Sequence, residues 1–188
     1  MKQKELNNKV INETLPFWKD QDVILSKILP FIEKYETDNI IEIIEFAIKE
    51  RKYELANWLI TKQLNLKQKV QYAIYGAELD ISTYEKRYPN DKNPREGLES
   101  LKKFMDKPSP KNKDILIQAS LRAYASAYRC TDEKFKNYAL ACSFATDIIT
   151  NDFFSAADST LASTFIDPSI EKRKKILRYG INLLKRNK

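Results

Sequence analysis

Apolar residues recur at steps of three and four along most of this chain. Ile40, Ile43, Ile44, Ala47 and Ile48 match one face of an α-helix in full. Val70, Ile74, Ala77, Ile81, Tyr84 and Tyr88 trace another face over 66–88, and Leu98, Leu101 and Met105 a third over 94–105. Between those two runs the order Y-P-N-D-K-N-P-R-E reads as a stop and a start. Pro89 lacks an N–H and disfavours a helical Tyr88. Asn90 and Asp91 form turns by bonding their own backbone. Asn93 as cap, Pro94 at the first position and Glu96 as the returning side chain match a capping box. The spacing therefore predicts a tight helical hairpin closed by residues 88–96.

The rest of the chain follows the same period. Residues 4–14 suggest a short helix or arm, and Leu15-Pro16-Phe17-Trp18 an ordered loop that plugs the core. Asp20 or Asp22 starts a helix carrying Leu25, Ile28, Leu29 and Ile32, with Pro30 bending or ending it. Asn39 with Glu42, and Asn65 with Gln68, match capping boxes. After a break near Arg51-Lys52, one helix carries Leu55, Ala56, Leu59, Ile60 and Leu64. Asp106–Asn112, with two prolines and no apolar residue, is the clearest loop and a candidate subdomain seam with expected mobility. Ile115, Ala119, Ala123 and Ala127 set small residues on a stripe where helices approach closely. Thr131 caps a helix burying Phe135, Tyr138, Ala139, Cys142, Thr146 and Ile149. Phe154, Ala157 and Leu161 continue into a shorter helix, and Asp167-Pro168 opens a last one with Ile170, Leu177, Ile181 and Leu184 inward. No Asn-Gly or Asp-Gly turn and no alternating β-branched run signals a strand. The expected fold is all-α: an irregular bundle or stacked αα-hairpins of about eight helices in one domain.

Composition narrows the chemistry. No apolar run nears the ~20 residues a membrane span needs, and the N-terminal M-K-Q-K-E-L-N-N-K has no signal-peptide core, so a cytoplasmic protein is expected. Cys130 and Cys142 stand apart and read as reduced core residues. The net charge of +7 is concentrated: Glu171–Lys188 holds eight basic residues and one acid, so residues 1–170 sum to zero. There is no histidine, which removes the commonest general base and metal ligand. The three glycines, Gly76, Gly97 and Gly180, all fall within expected helices, so no phosphate-cradling loop exists. Gly76 and Gly97 each cost about 1 kcal/mol relative to Ala, and a close helix crossing would compensate. No catalytic residue, metal site or cofactor is expected. Glu78, Asp80, Glu85, Asp91 and Arg95 read either as a polar recognition or catalytic cluster, or as solvated helix charges and turn formers. The basic patch of Lys172, Arg173, Lys174, Lys175 and Arg178 reads as a phosphate contact or as a solvated outer face. Trp18, Trp58, Tyr84, Tyr88 and Tyr128 are the aromatics to examine for exposure, although rings at helical spacing usually fill interiors.

K-Q-K-V-Q-Y-A-I-Y-G-A-E (67–78) followed by Y-E-K-R-Y-P-N-D-K-N-P-R-E (84–96) resembles the signature segment of a family of bacterial immunity proteins. Those are small helical proteins that protect a cell from its own or a sibling's polymorphic toxin. Ala119, Ala123, Tyr124, Ala125, Ala127 and Tyr128 resemble the alanine- and aromatic-rich half of the same pattern. Asn93 and Gly97 stand where the family has Arg and Ala, so a bidentate donor is lost at Asn93. The resemblance implies a non-catalytic, toxin-occluding protein with a protein partner, and makes Tyr84, Glu85, Tyr88, Asp91 and Arg95 its partner-binding candidates. Two other readings stay open. One is a nucleic-acid-binding or regulatory protein using the basic C-terminal helix. The other is a carboxylate-based enzyme, which needs a deep pocket joining Glu78, Asp91 and Arg95.

Overall fold

Helical periodicity becomes helix wherever it is bounded by residues that satisfy the free ends. The structure, a computed structural model, describes residues 21–79, 81–151 and 169–186. Among them are nine helices and no strand: α1 (Gln21–Tyr35), α2 (Ile40–Lys49), α3 (Tyr53–Gln63), α4 (Leu66–Glu78), α5 (Ile81–Arg87), α6 (Asn93–Asp106), α7 (Pro110–Arg129), α8 (Glu133–Asn151) and α9 (Ile170–Lys185). The all-α expectation holds. None of these helices is long and apolar enough to cross a membrane. The expected Leu15–Trp18 loop, Asp80, the 154–161 helix and the Asp167-Pro168 cap lie outside the described residues.

The chain divides into two compact units, Met1–Ile60 and Thr61–Lys188, and the boundary falls in the last turn of α3. In the first unit α1 runs on through Pro30 rather than ending there. Ile28, Phe31 and Ile32 of α1 and Ile41, Ile43, Ile44 and Ala47 of α2 are buried. Ile40 and Ile48 are only half-buried, because the apolar face of α2 is rotated toward Ile41. Asn39 Oδ1 accepts from the Ile41 N–H (3.0 Å). Glu42 does not complete the box; it accepts from the Thr37 hydroxyl, and Thr37 in turn accepts from the Asn39 N–H (3.2 Å). The breaks after α1 and α2 pass through left-handed residues, Glu36 (φ 52°) and Arg51 (φ 61°). Tyr35 stacks on Phe46 (3.7 Å between ring centroids) and its hydroxyl donates to Glu50 (2.7 Å).

The second unit is built on α4, α6, α7 and α8, which pack pairwise along their lengths. Its main core joins Val70, Ala73 and Ala77 to Leu98, Leu101, Leu116, Ala141, Cys142, Ala145 and Ile148. The capping box at Asn65 and Gln68 forms as expected, at 3.0 and 3.1 Å. Gln68 also donates to the Leu183 carbonyl (2.7 Å), which with the Tyr75–Tyr179 stack (4.0 Å) ties α4 to α9. Ala119, Ala123 and Ala127 are fully buried, but Leu116 rather than Ile115 continues their stripe. A Cβ added at Gly97 would stand 3.6 Å from Ala123 Cβ and 3.6 Å from Thr146 Cγ2. The crossing there is close but within ordinary van der Waals contact.

Five local expectations are corrected. The 66–88 helix is two helices, because Leu79 caps α4 and α5 restarts at Ile81. Ala77, Ile81 and Tyr84 stay in apolar register across the break, so spacing alone could not show it. Asn93 lies inside α6 rather than capping it, and Lys92 at the cap makes no side-chain bond. Asp132, not Thr131, caps α8 through the Lys134 N–H (2.9 Å). Ile170 is 41% exposed, whereas Ile176, Leu177, Ile181, Leu183 and Leu184 carry the buried face of α9. The Asp106–Asn112 segment lies within the second unit. Half of it is helix: Pro110 opens α7, Ser109 accepts from the Asn112 N–H (3.1 Å), and Asn112 donates to the Lys107 carbonyl (2.7 Å).

Candidate functional site

Residues 84–95 gather where α5 ends, and α7 delivers its C-terminal turn beside them. Tyr84, 1% exposed, faces inward with Ala127, Tyr138 and Ala139. Its hydroxyl donates to Asp91 Oδ2 (3.0 Å). Asp91 Oδ1 accepts from the Asn93 N–H (3.1 Å), so this aspartate does the work at the start of α6 that the sequence assigned to Asn93. The Asn93 amide is free for another task and donates to the Ser126 hydroxyl on α7 (3.1 Å). Arg129 Nη2 completes the cluster, donating to Ser126 Oγ (2.8 Å) and to Asp91 Oδ2 (3.3 Å). One carboxylate thus fixes α5, the turn, α6 and α7 together.

The titration of these groups follows from that wiring. Burial alone would raise the Asp91 carboxyl; Ser126, the Asn93 amide, Tyr84 and Arg129 together bring it below the usual carboxylate range. Burial, then the bond to Asp91, pushes the Tyr84 hydroxyl well above the usual tyrosine range. Glu85 and Arg95 form a fork between α5 and α6, with Nε on Oε1 at 2.5 Å and Nη2 on Oε2 at 2.7 Å. The Arg95 bond holds Glu85 low. A bidentate pair of this kind sets the angle between two helices more sharply than a lysine could.

An open depression of about 470 Å³ lies over the cluster, lined by Tyr84, Arg87, Tyr88, Asp91, Asn93, Ser126, Arg129 and Cys130 among others. Tyr88 forms one wall, edge-on to Phe135 (5.6 Å) and tilted on Tyr84 (5.1 Å), with Arg87 over its ring (5.9 Å to the centroid). Cys130, expected in the core, is half-buried here with its Sγ 3.3 Å from the Ser126 carbonyl; Cys142 is fully buried and its thiol pushed far up by burial.

The five partner-binding candidates fall into two groups, Tyr84, Tyr88 and Asp91 at the depression and the Glu85–Arg95 pair between α5 and α6, and most of their polar atoms are spent within each group. Tyr84 is core, and Glu85 and Arg95 are paired. The surface that is left faces out from α7, and sequence reasoning missed most of it. Tyr128 is 65% exposed, Leu121 58% and Tyr124 39%. They lie at i, i+3 and i+7 on the side opposite the alanine stripe, a spacing that was legible beforehand. The two tyrosine hydroxyls are 2.7 Å apart, and Lys136 lies over the Tyr128 ring (6.0 Å). Trp58 and Tyr88 are half-buried.

The other candidates are arranged differently from the expectation. Glu78 pairs with Lys102 (2.6 Å), Arg95 with Glu85 and Asp91 with Arg129, so the three do not share one pocket. In the basic patch Lys175 and Arg178 are exposed, while Lys172, Arg173 and Lys174 are half-buried. Burial brings the Lys172 amine down to about 8. Among the described residues no group of three His, Cys, Asp or Glu side chains is placed to hold a metal ion. Comparison with protein-family models, with curated proteins and with solved structures returns no match to this chain.

Proposed function

We propose that this chain is an immunity-type binding protein that neutralises a bacterial toxin by covering its working surface, without chemistry of its own. The observation that carries the reading is the exposed ridge of Leu121, Tyr124 and Tyr128 on α7, set beside the Tyr88–Arg129 depression. Aromatic and arginine side chains are the groups that dominate protein interfaces, and clustered exposed apolar side chains mark such sites. The Asp91 network and the Glu85–Arg95 fork hold the surrounding helices rigid, which lowers the ordering cost of binding. The resemblance of residues 67–96 to immunity proteins supports the same reading. Its residues then act chiefly as the frame, and α7 as the face. The nucleic-acid reading draws less support, since three of the five basic-patch residues are half-buried.

The test is growth rescue. A gene beside this chain's own is expected to encode a large protein with a toxic C-terminal domain, and cells expressing that domain should grow when the chain is co-expressed and stop growing when it carries Leu121→Ser with Tyr128→Ser. Absence of rescue by the wild-type chain would overturn the reading.

A further inference from the structure

The charge around this face is lopsided in a way the whole-chain sum hides. Segments 84–95 and 121–136, which form the turn and the C-terminal half of α7 with the start of α8, hold eight basic and four acidic side chains. The four acids are each engaged from within: Glu85 by Arg95, Asp91 by Tyr84 and Arg129, Asp132 by the Lys134 N–H, and Glu133 by Lys136 (3.3 Å). Arg122 pairs with Glu96 just beyond these segments (3.7 Å), but the basic groups are not all used up in return. Arg87 lies on the Tyr88 ring rather than on a carboxylate. Arg129 spends only Nη2 on Asp91 and Ser126, which leaves Nε and Nη1 to donate outward, and its side chain is 63% exposed.

Resting on the protein-binding reading above, we propose that the partner presents an acidic surface, with its carboxylates received by Arg87 and Arg129 at the depression and its apolar side chains seated on Leu121, Tyr124 and Tyr128. A guanidinium accepts a carboxylate through two parallel bonds, and the depression is large enough to admit an Asp or Glu side chain. A nucleic acid fits the face less well. The exposed Leu121 side chain, beside Tyr124 and Tyr128, offers a phosphate backbone nothing to bond.

The full-length chain is titrated, by fluorescence anisotropy, with a short labelled peptide of alternating Glu and Trp. The Gln–Trp counterpart and a labelled single-stranded oligonucleotide are run beside it. The acidic peptide should bind about tenfold more tightly than the Gln peptide, the scale of a charge-assisted bond. That preference should shrink at high salt and vanish in the Arg87→Gln, Arg129→Gln variant, whose fold is checked by circular dichroism. Equal binding of both peptides, lost only on Leu121→Ser with Tyr128→Ser, would overturn the acidic partner and leave the protein-binding reading standing. Tighter binding of the oligonucleotide would overturn both. Binding of neither peptide would overturn the acidic partner, with growth rescue still deciding the wider reading.

Discussion

Gly97→Ala tests the helix crossing on which the second unit rests. Gly97 is an interior residue of α6, where glycine costs about 1 kcal/mol relative to alanine. The new Cβ would meet Ala123 Cβ and Thr146 Cγ2 at 3.6 Å and the Ala119 carbonyl at 3.9 Å, all ordinary contacts that require no neighbour to move. It would also bury a methyl group, worth up to about 0.8 kcal/mol. The sum is a stabilisation of about 1–2 kcal/mol, equivalent to a rise in Tm of roughly 2–8 °C for a chain of this size. Thermal unfolding followed at 222 nm reads it directly. Gly97→Val is the companion: its extra methyls have no room at 3.6 Å, and it should destabilise by about 1–3 kcal/mol. A lower Tm for Gly97→Ala would refute the reasoning, because it would mean that α6, α7 and α8 cross more closely than these distances allow.

Other expectations follow from particular contacts. Asp91→Asn should be less stable than wild type near neutral pH by roughly 1–3 kcal/mol, since the charged acceptor is lost. The Asp91 carboxyl is held below its unfolded value, so its stabilisation is full above about pH 4 and fades as pH falls further; the gap to Asp91→Asn in urea midpoints should close with it. Gln68→Ala removes half of a capping box and the bond to Leu183, and should cost about 1–3 kcal/mol in chemical denaturation. Cys142, fully buried with a raised thiol, should react with a thiol reagent only in denaturant, so a Cys130→Ser chain should show no fast-reacting group.

Much of the frame was legible because it obeys one period. Ala119, Ala123 and Ala127 of α7, the Asn65–Gln68 box, and Leu177, Ile181 and Leu184 of α9 followed from spacing and caps. The turn was found because Pro89 and Pro94 punctuate it, but the residues inside it were assigned the wrong tasks. Asp91 and Asn93 are both competent caps, and only the position of Ser126, on a helix 33 residues away, draws the Asn93 amide off. The break at Leu79 left no mark on the apolar register. The exposed face of α7 was harder to place for a different reason. Tyr124 and Tyr128 share a helix with buried alanines, and aromatic rings at helical spacing usually point inward; which face of α7 is covered depends on α6 and α8 packing to one side. The local cationic surplus was also invisible in a sum over 170 residues that came to zero.

The central claim is that a protein partner is held by the outer face of α7. Calorimetric titration of the chain with a toxin domain against which it rescues growth, before and after Leu121→Ser with Tyr128→Ser, tests this most directly. The account predicts binding by the wild-type chain and an affinity weaker by at least about 30-fold in the folded variant, as expected when interface anchors are truncated. Unchanged affinity in that variant, or a loss produced instead by Lys175→Glu with Arg178→Glu on α9, would contradict it.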